Sequence, residues 1–120
     1  AGIDSYQRYL FRSNVDTAVS LLQKARSSAI HNIGETSHGV YFCDPSNSKF
    51  IFFRGITYDA SSPYNFPVDK SKAVTVTSCL TLSEVVFEPL SGETASGDIV
   101  LTDGVRSVTI KINDEGGINW

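Results

Sequence analysis

The sequence has no methionine among its 120 residues, not even at position 1. We therefore expect that the natural chain begins upstream of Ala1 and that an N-terminal segment is missing. The sequence also has no apolar run of about eighteen residues, the length that a transmembrane helix requires. The residues given are accordingly not expected to span a membrane by themselves.

No large excess of charge of either sign is present. Ten basic residues face thirteen acidic ones, which gives a net charge of -3 and a pI near 5.2. A nearly balanced charge provides no global field to attract nucleic acid, so a basic or neutral partner is expected rather than DNA. With 41% hydrophobic residues, the chain has enough apolar surface to fold as one domain over residues 1–120 without a metal.

Motifs for catalysis, metal binding and phosphate binding are missing as well. His31 and His38 are the only histidines, and a Ser-His-Asp triad drawn from them with Asp44 or Asp59 has no G-x-S-x-G elbow to support it. The segment 44–48 lacks the further carboxylates of a calcium loop and is typical of a turn. The sequence therefore predicts no enzymatic activity, no metal and no cofactor.

Only two cysteines occur, Cys43 and Cys79, and both lie in segments typical of a strand or a strand end. They are compatible with a single disulfide in an oxidising compartment or with a pair of buried thiols. Their positions in the sequence do not distinguish these alternatives. Cys43 has no basic or helix-terminal neighbour to lower its pKa, so a catalytic thiol is not expected.

What the sequence does contain is one strongly amphipathic helix, predicted over residues 14–33 and about 30 Å long. Ser13 and Asp16 are predicted to form its capping box, and Gly34 its left-handed stop. Its apolar residues recur at intervals of three and four, which predicts that one stripe packs on a sheet. The residues of this stripe are Val15, Ala18, Val19, Leu22, Ala25, Ala29 and Ile33.

Residues 3–12 are predicted to form a helical lead-in to this helix, with a possible kink near Ser13 and Asn14. The apolar side chains of this segment again follow helical spacing. They are Ile3, Tyr6 and Leu10.

After residue 34 the pattern changes to short alternating strands separated by turn residues. Asp103-Gly104 between two alternating segments predicts a hairpin. Residues 55–72 are predicted to be a long loop that is functional, mobile, or packed by its own aromatics, namely Tyr58, Tyr64 and Phe66. The predicted strands are 39–43, 49–54, 73–77, 84–88, 98–102, 105–112 and 118–120, with 79–82 an extended link.

The predicted fold class is therefore α+β. A helix over residues 1–33 lays its apolar stripe across an antiparallel β-rich head over residues 38–120.

Several segments resemble the GspH/FimT family of minor pseudopilins, which are type IV pilin-like proteins. The segment 21–29 is similar to the family's helix pattern of a leucine-containing turn followed by Ala-Arg and small residues. The segments 86–92, 97–101 and 108–118 are similar to its strand, its Pro-x-x-Gly loop, its hairpin and its final glycine-containing turn.

The resemblance implies a structural subunit of a type IV pilus or a type II secretion pseudopilus. It also implies that the missing N-terminus carried a leader peptide and an apolar helix, which anchors the protein in the inner membrane and later packs in a filament core. The head would then lie in the periplasm or at the cell surface, with other pilin or pseudopilin subunits as its partners. Ile3, Tyr6 and Leu10 would be left without contacts in their own domain.

Two alternatives remain open. The first is a DNA-binding minor pilin involved in DNA uptake, but residues 113–120 are acidic and only Arg106 and Lys111 lie near them in the sequence. Nucleic acid is therefore not the expected partner. The second alternative is an unrelated extracellular domain that binds its ligand through the 55–72 loop.

Overall fold

The structure is a computed structural model that describes residues 2–120, with side chains from residue 5 onward. It contains one long helix followed by eight short strands. The helix α1 spans Gly2–Ile30, and a short 3-10 turn spans Ile33–Glu35. The strands are β1 (His38–Tyr41), β2 (Lys49–Arg54), β3 (Phe66–Asp69), β4 (Thr75–Val76), β5 (Glu84–Phe87), β6 (Gly97–Thr102), β7 (Ser107–Ile112) and β8 (Ile118–Asn119).

The strands form two four-stranded sheets in which all pairs are antiparallel. The first sheet has the order β3-β2-β1-β5, and the second has the order β4-β6-β7-β8. Helix α1 packs mainly on β1 and β5 of the first sheet, and it also contacts β2 and β8. The predicted α+β class, with a long N-terminal helix on an antiparallel head, is confirmed.

Helix α1 is continuous through Ser13 and Asn14, so the predicted kink and capping box at that point are wrong. Asparagine and threonine are unfavourable inside a helix when their side chains compete for the hydrogen bonds of the backbone. Here the side chains of Asn14 and Thr17 instead donate hydrogen bonds to carbonyls of the preceding turn. Asn14 Nδ2 donates to the carbonyl of Leu10 at 2.7 Å, and Thr17 Oγ1 donates to that of Ser13 at 3.0 Å.

The helix ends at Ile30, three residues before the predicted end at Ile33. Gly34 adopts the predicted left-handed conformation at φ 68°, but Asn32 already does so at φ 54° and ends the helix before it. The carbonyl of Ala29 accepts hydrogen bonds from the amides of Asn32 (2.9 Å) and Leu90 (2.8 Å), so a turn of the head caps the helix. Ile33 is consequently 47% exposed and lies outside the apolar stripe.

The stripe of α1 forms one continuous core with residues from both sheets. Ala18, Ala25 and Ala29 are fully buried, and their small side chains allow the helix to lie close to β1 and β5. The buried apolar residues of the helix are Phe11, Val15, Ala18, Val19, Leu21, Leu22, Ala25 and Ala29. Those of the head include Val40, Phe42, Phe50, Val85, Phe87, Ile99, Leu101 and Ile110.

A buried lysine joins the middle of the helix to the loop after β3. Lys70 is 8% exposed, and its Nζ donates to the carbonyls of Asn47, Ser71 and Val74. The amide of Ser71 in turn donates to Oδ1 of Asn14 at 2.9 Å. Burial lowers the pKa of Lys70, an effect that the nearby Asp44 carboxylate opposes. Three carbonyl acceptors offset the cost of burying this cation.

The prediction failed at several strands of the head. The segment 55–72 contains β3, which pairs with β2 although Pro67 lies within it. This strand lies at the edge of its sheet, the position at which proline is tolerated. Only Thr75–Val76 of the predicted strand 73–77 pairs, and 79–82 is a turn whose amides bond the carbonyl of Ser78.

The sulfurs of Cys43 and Cys79 are joined in the structure, with their Cα atoms 5.9 Å apart. Cys43 follows β1 of the first sheet, and Cys79 follows β4 of the second. The bond therefore ties the two sheets together across 36 residues of chain.

We predict that the Cys43→Ser/Cys79→Ser variant loses about 4 kcal/mol of unfolding free energy, because the disulfide closes a loop of this length in the unfolded chain. Urea denaturation of both proteins measures the loss. Non-reducing peptide mapping of the wild type checks that the bond forms when the protein is produced in an oxidising compartment. Free thiols under those conditions, or equal stabilities, would contradict the prediction.

Packing of the stripe gives a second prediction. Leu22→Ala should lower the unfolding free energy by about 2–5 kcal/mol, because Leu22 is fully buried and its truncation leaves a cavity. The neighbouring Gln23→Ala is the matched control and should change stability by less than about 0.5 kcal/mol, since Gln23 is exposed. Calorimetry on the same samples should show one transition if residues 1–120 are a single domain. Equal losses in the two variants would contradict the packing account.

Candidate functional site

The histidines and their acidic neighbours are not gathered into a catalytic arrangement. His31 is exposed just after α1, with its Nδ1 2.8 Å from the carbonyl of Ser27, whereas His38 is buried in β1. Asp44 bonds Ser46 and Ser48, and Asp59 bonds the amide and hydroxyl of Ser61. Within residues 2–120 there is also no group of three or more His, Cys, Asp and Glu side chains able to hold a metal ion.

None of the helices in the described part of the chain is long and apolar enough to cross a membrane.

The exposed end of α1 is the first candidate surface. The helix has 29 residues and is about 43 Å long, whereas the second and third dimensions of the molecule are 28 and 24 Å. The helix must therefore run along the longest dimension of the molecule, which is 49 Å. Tyr6 is 63% exposed and Tyr9 is 69% exposed, and the first fully buried side chain is that of Phe11.

The expectation that Ile3, Tyr6 and Leu10 lack contacts with the head is only partly met. Tyr6 is exposed, but Leu10 is half-buried and lines a small cavity with Val74 and Val105 of the head. The side chain of Ile3 lies outside the described residues. Gln7 borders the same cavity, so the head reaches α1 as far as residue 7, although all side chains from Ser5 to Tyr9 are exposed.

A groove between α1 and β7 is the second candidate surface, and we call it the arginine groove. The groove is lined from the helix by Arg8 and Arg12, and from the turn before β7 by Arg106. Trp120 forms one of its sides, and this residue is 62% exposed. Its volume is about 360 Å³, and its floor includes Phe11, Val15 and Val108.

Arg106 is held in place within this groove by a tight turn. Its Nη1 donates to Oδ2 of Asp103 at 2.9 Å, and the amides of Arg106 and Val105 donate to Oδ1. These amide bonds lower the pKa of the Asp103 carboxyl. The sequence places the helix arginines about ninety-five residues from Arg106. No local pattern could have predicted that the fold brings them together.

The third candidate surface is an acidic shelf, which we define by Glu88, Glu93 and Asp114. These three exposed carboxylates line a shallow depression together with Ile56, which is 84% exposed. Two backbone hydrogen bonds hold the shelf together. The amide of Glu88 donates to the carbonyl of Glu93 at 2.8 Å, and the amide of Thr94 donates to that of Asp114 at 3.1 Å.

Arg26 of α1 positions the two turns that carry this shelf. A Cβ added to Gly116 would lie 2.2 Å from the carbonyl oxygen of Gly92 and 2.9 Å from Nε of Arg26. Both glycines have positive φ values, 71° at Gly92 and 88° at Gly116, so glycine is needed at both positions for conformation and for space. The shelf is thus fixed near the C-terminal end of the helix.

The three aromatics predicted to hold the 55–72 segment all make specific ring contacts. Tyr58 stacks on Tyr41 with ring centroids 4.1 Å apart, and Arg54 lies 4.5 Å from the ring of Tyr64. Lys24 of α1 lies over Phe66, 5.2 Å from the ring centroid. The carboxylate of Glu84 also accepts bonds from Thr57 Oγ1 and the Tyr58 amide. This segment is therefore packed on the first sheet.

This arrangement of helix and head has a counterpart of known structure. The crystal structure of the type IV minor pilin FimU from Pseudomonas aeruginosa PAO1 superposes on the chain with a TM-score of 0.63. The match covers 90% of each chain at 14% sequence identity.

The chain has a pilin-like fold. No family model matches the sequence, and no curated protein is significantly similar to it.

His38 is the one buried histidine of this pilin-like fold. Its side chain is 1% exposed, and its Nδ1 is buried without a hydrogen-bond partner. Burial lowers the pKa of His38, the Arg54 guanidinium lowers it further, and a backbone hydrogen bond to Thr36 opposes the shift. His38 is therefore neutral in the folded protein at neutral pH.

We predict that the protein loses stability as the pH falls from 7 to 5. The unfolded chain, in which His38 titrates near 6.5, binds more protons than the folded state. The stabilisation that comes from neutral His38 is thus complete above about pH 6.5. Below that pH, the free energy of unfolding falls by at most about 1.4 kcal/mol per pH unit. Thermal unfolding at several pH values should show this slope in the wild type and in His31→Gln. A slope of equal size in His38→Gln would contradict the assignment.

Proposed function

We propose that this chain is a structural subunit of a type IV pilus or a type II secretion pseudopilus, and that it is a minor subunit of the GspH/FimT kind. It assembles with other pilin or pseudopilin subunits through bundling of α1 and through side-to-side contacts between heads. The single observation that carries this proposal is the exposed, tyrosine-bearing end of a helix whose remaining length is packed on the head.

The exposure of the helix changes abruptly along its length. Residues 5–9 are exposed on every side, and a packed stripe begins at Phe11. An aromatic side chain in water at a projecting helix end gains free energy when a neighbouring helix covers it. Tyr9 also borders an open groove along the outer face of α1, with Thr17 and Leu21 further along it. A second helix laid along this face would cover both tyrosines.

The proposal extends to the location of the protein. An apolar helix that continues α1 at its N-terminal end anchors the subunit in the inner membrane before assembly and packs in the filament core afterwards. The head then lies in the periplasm or at the cell surface. An oxidising compartment of this kind is compatible with a Cys43–Cys79 disulfide.

DNA binding is the weaker candidate function. The observation in its favour is that Arg8, Arg12 and Arg106 line one groove beside Trp120, since arginine and an exposed aromatic are typical of single-strand binding. The net charge of -3 and the carboxylates of the acidic shelf weigh against it. We therefore keep the structural role as the main proposal.

The exposed tyrosines give a direct test of this role. In the full-length protein, produced in its native host, Tyr6→Ala/Tyr9→Ala should reduce the fraction found in sheared filaments by about tenfold. The reason is that losing two buried rings at a helix interface costs more than about 1.4 kcal/mol. Immunoblotting of filament and cell fractions with antibodies raised against the 120-residue chain measures the ratio.

The matched control is Leu80→Ala, which removes an apolar side chain that is fully exposed on the head and distant in sequence from α1. Its filament fraction should equal that of the wild type. The melting temperature of the isolated 120-residue chain should be unchanged in both variants. Absence of the wild-type protein from filaments would refute the proposed function, and equal incorporation of the tyrosine variant would refute the role of the helix end.

A further inference from the structure

We propose that the arginine groove of one copy of this chain binds the acidic shelf of a second copy, in a head-to-tail contact between heads. The inference rests on the proposed function as a filament subunit, and it names the partner and the chemistry of one of its contacts.

The arginine groove has the features of a carboxylate-binding surface. Arg8 and Arg12 are four residues apart on α1 and so lie on the same side of the helix, one turn apart. Guanidinium groups bind carboxylates through two parallel hydrogen bonds, which makes arginine better suited to this contact than lysine. Asp16 is the one carboxylate side chain among the residues that line the groove. Asp103 pairs with Arg106 at its edge, so three arginines face two carboxylates and a surplus of positive charge remains.

The acidic shelf is complementary to this groove. Its three carboxylates are exposed, and the described residues that line it include no lysine or arginine. Its apolar part is the side chain of Ile56, which is 84% exposed. The corresponding apolar part of the groove is Trp120, which is 62% exposed. Contact between two such surfaces pairs charge with charge and buries the two apolar side chains together.

The two surfaces lie at different levels along α1, so one molecule cannot bring them together. The groove begins near Arg12, and the shelf is fixed beside the helix end at Ala29 through the Leu90 turn. Seventeen residues of helix separate these levels by about 25 Å. A contact between different surfaces of two identical copies leaves one groove and one shelf unused, so it can propagate into an open chain.

Two charge-neutralising variants test the contact. Arg8→Gln/Arg12→Gln removes the charge of the helix side of the groove and keeps the shelf, whereas Glu88→Gln/Glu93→Gln removes two charges of the shelf and keeps the groove. All four residues are exposed, so both variants should fold with wild-type circular dichroism. Sedimentation equilibrium of the 120-residue chain at low ionic strength measures association, since salt screens such contacts.

We expect the wild type to form oligomers whose mass rises with concentration beyond that of a dimer. Each variant alone should associate at least tenfold more weakly. An equal mixture of the two variants should form a 1:1 pair that does not grow, because only one intact groove and one intact shelf are present. Lys72→Gln/Lys111→Gln changes the net charge as much as the groove variant does, and it should associate like the wild type.

A wild type that stays monomeric at all concentrations, or variants that fail to pair when mixed, would overturn the inference. It would also be overturned if a labelled DNA oligonucleotide bound the wild type and not the groove variant while the wild type remained monomeric. That result would assign the groove to nucleic acid. If the heads do not associate but the full-length protein enters filaments, this inference fails and the proposed function stands.

Discussion

The packing of one helix stripe on the first sheet is the interaction on which the rest of the structure depends. Ala18, Ala25 and Ala29 are fully buried, so the backbone of α1 lies close to β1 and β5, and the larger side chains between them fill the core. Burial of apolar side chains contributes about 1.5–3 kcal/mol for each large residue. No comparable gain is available to the first turns of the helix, where the side chains from Ser5 to Tyr9 are exposed.

The head is arranged around the C-terminal half of this helix. The Leu90 amide caps the Ala29 carbonyl, and Arg26 packs against the turns at Gly92 and Gly116. Asn14 and the buried Lys70 fasten the loop before β4 to the middle of the helix. Because these contacts all lie beyond the first ten residues, the head leaves the N-terminal end of α1 available to other molecules. The arginine groove and the acidic shelf are the two charged surfaces that the same arrangement creates on the head.

The sequence predicted those parts of the fold that depend on local pattern. The spacing of Val15, Val19 and Leu22 indicated a packed helix, and Asp103-Gly104 indicated the β6-β7 hairpin. The sequence did not predict β3, since Pro67 and the exposed side chains around it give no alternating pattern. The strand depends instead on its pairing with β2. The helix end was misplaced because Asn32 took the left-handed position expected of Gly34.

The candidate surfaces were harder to predict than the fold. Tyr6 was expected to be exposed because of the resemblance to pilin-like proteins, and it is 63% exposed. The arginine groove joins residues 8 and 12 to residues 106 and 120, and the acidic shelf joins residues 88 and 93 to residue 114. Such groupings exist only after two sheets and a helix have packed together. The sequence likewise left open whether Cys43 and Cys79 form a disulfide or remain thiols. Their proximity depends on how the two sheets are placed.

The central claim is that α1 is held by the head along its C-terminal part and is covered by other subunits at its N-terminal end. Amide hydrogen exchange of the isolated 120-residue chain and of the full-length protein in filaments tests this directly. The account predicts slow exchange at residues 15–29 in both samples, and exchange at residues 5–10 that is fast in the isolated chain and slow in the filament. Residues 5–10 that are already protected in the isolated chain, or that stay unprotected in the filament, would contradict it.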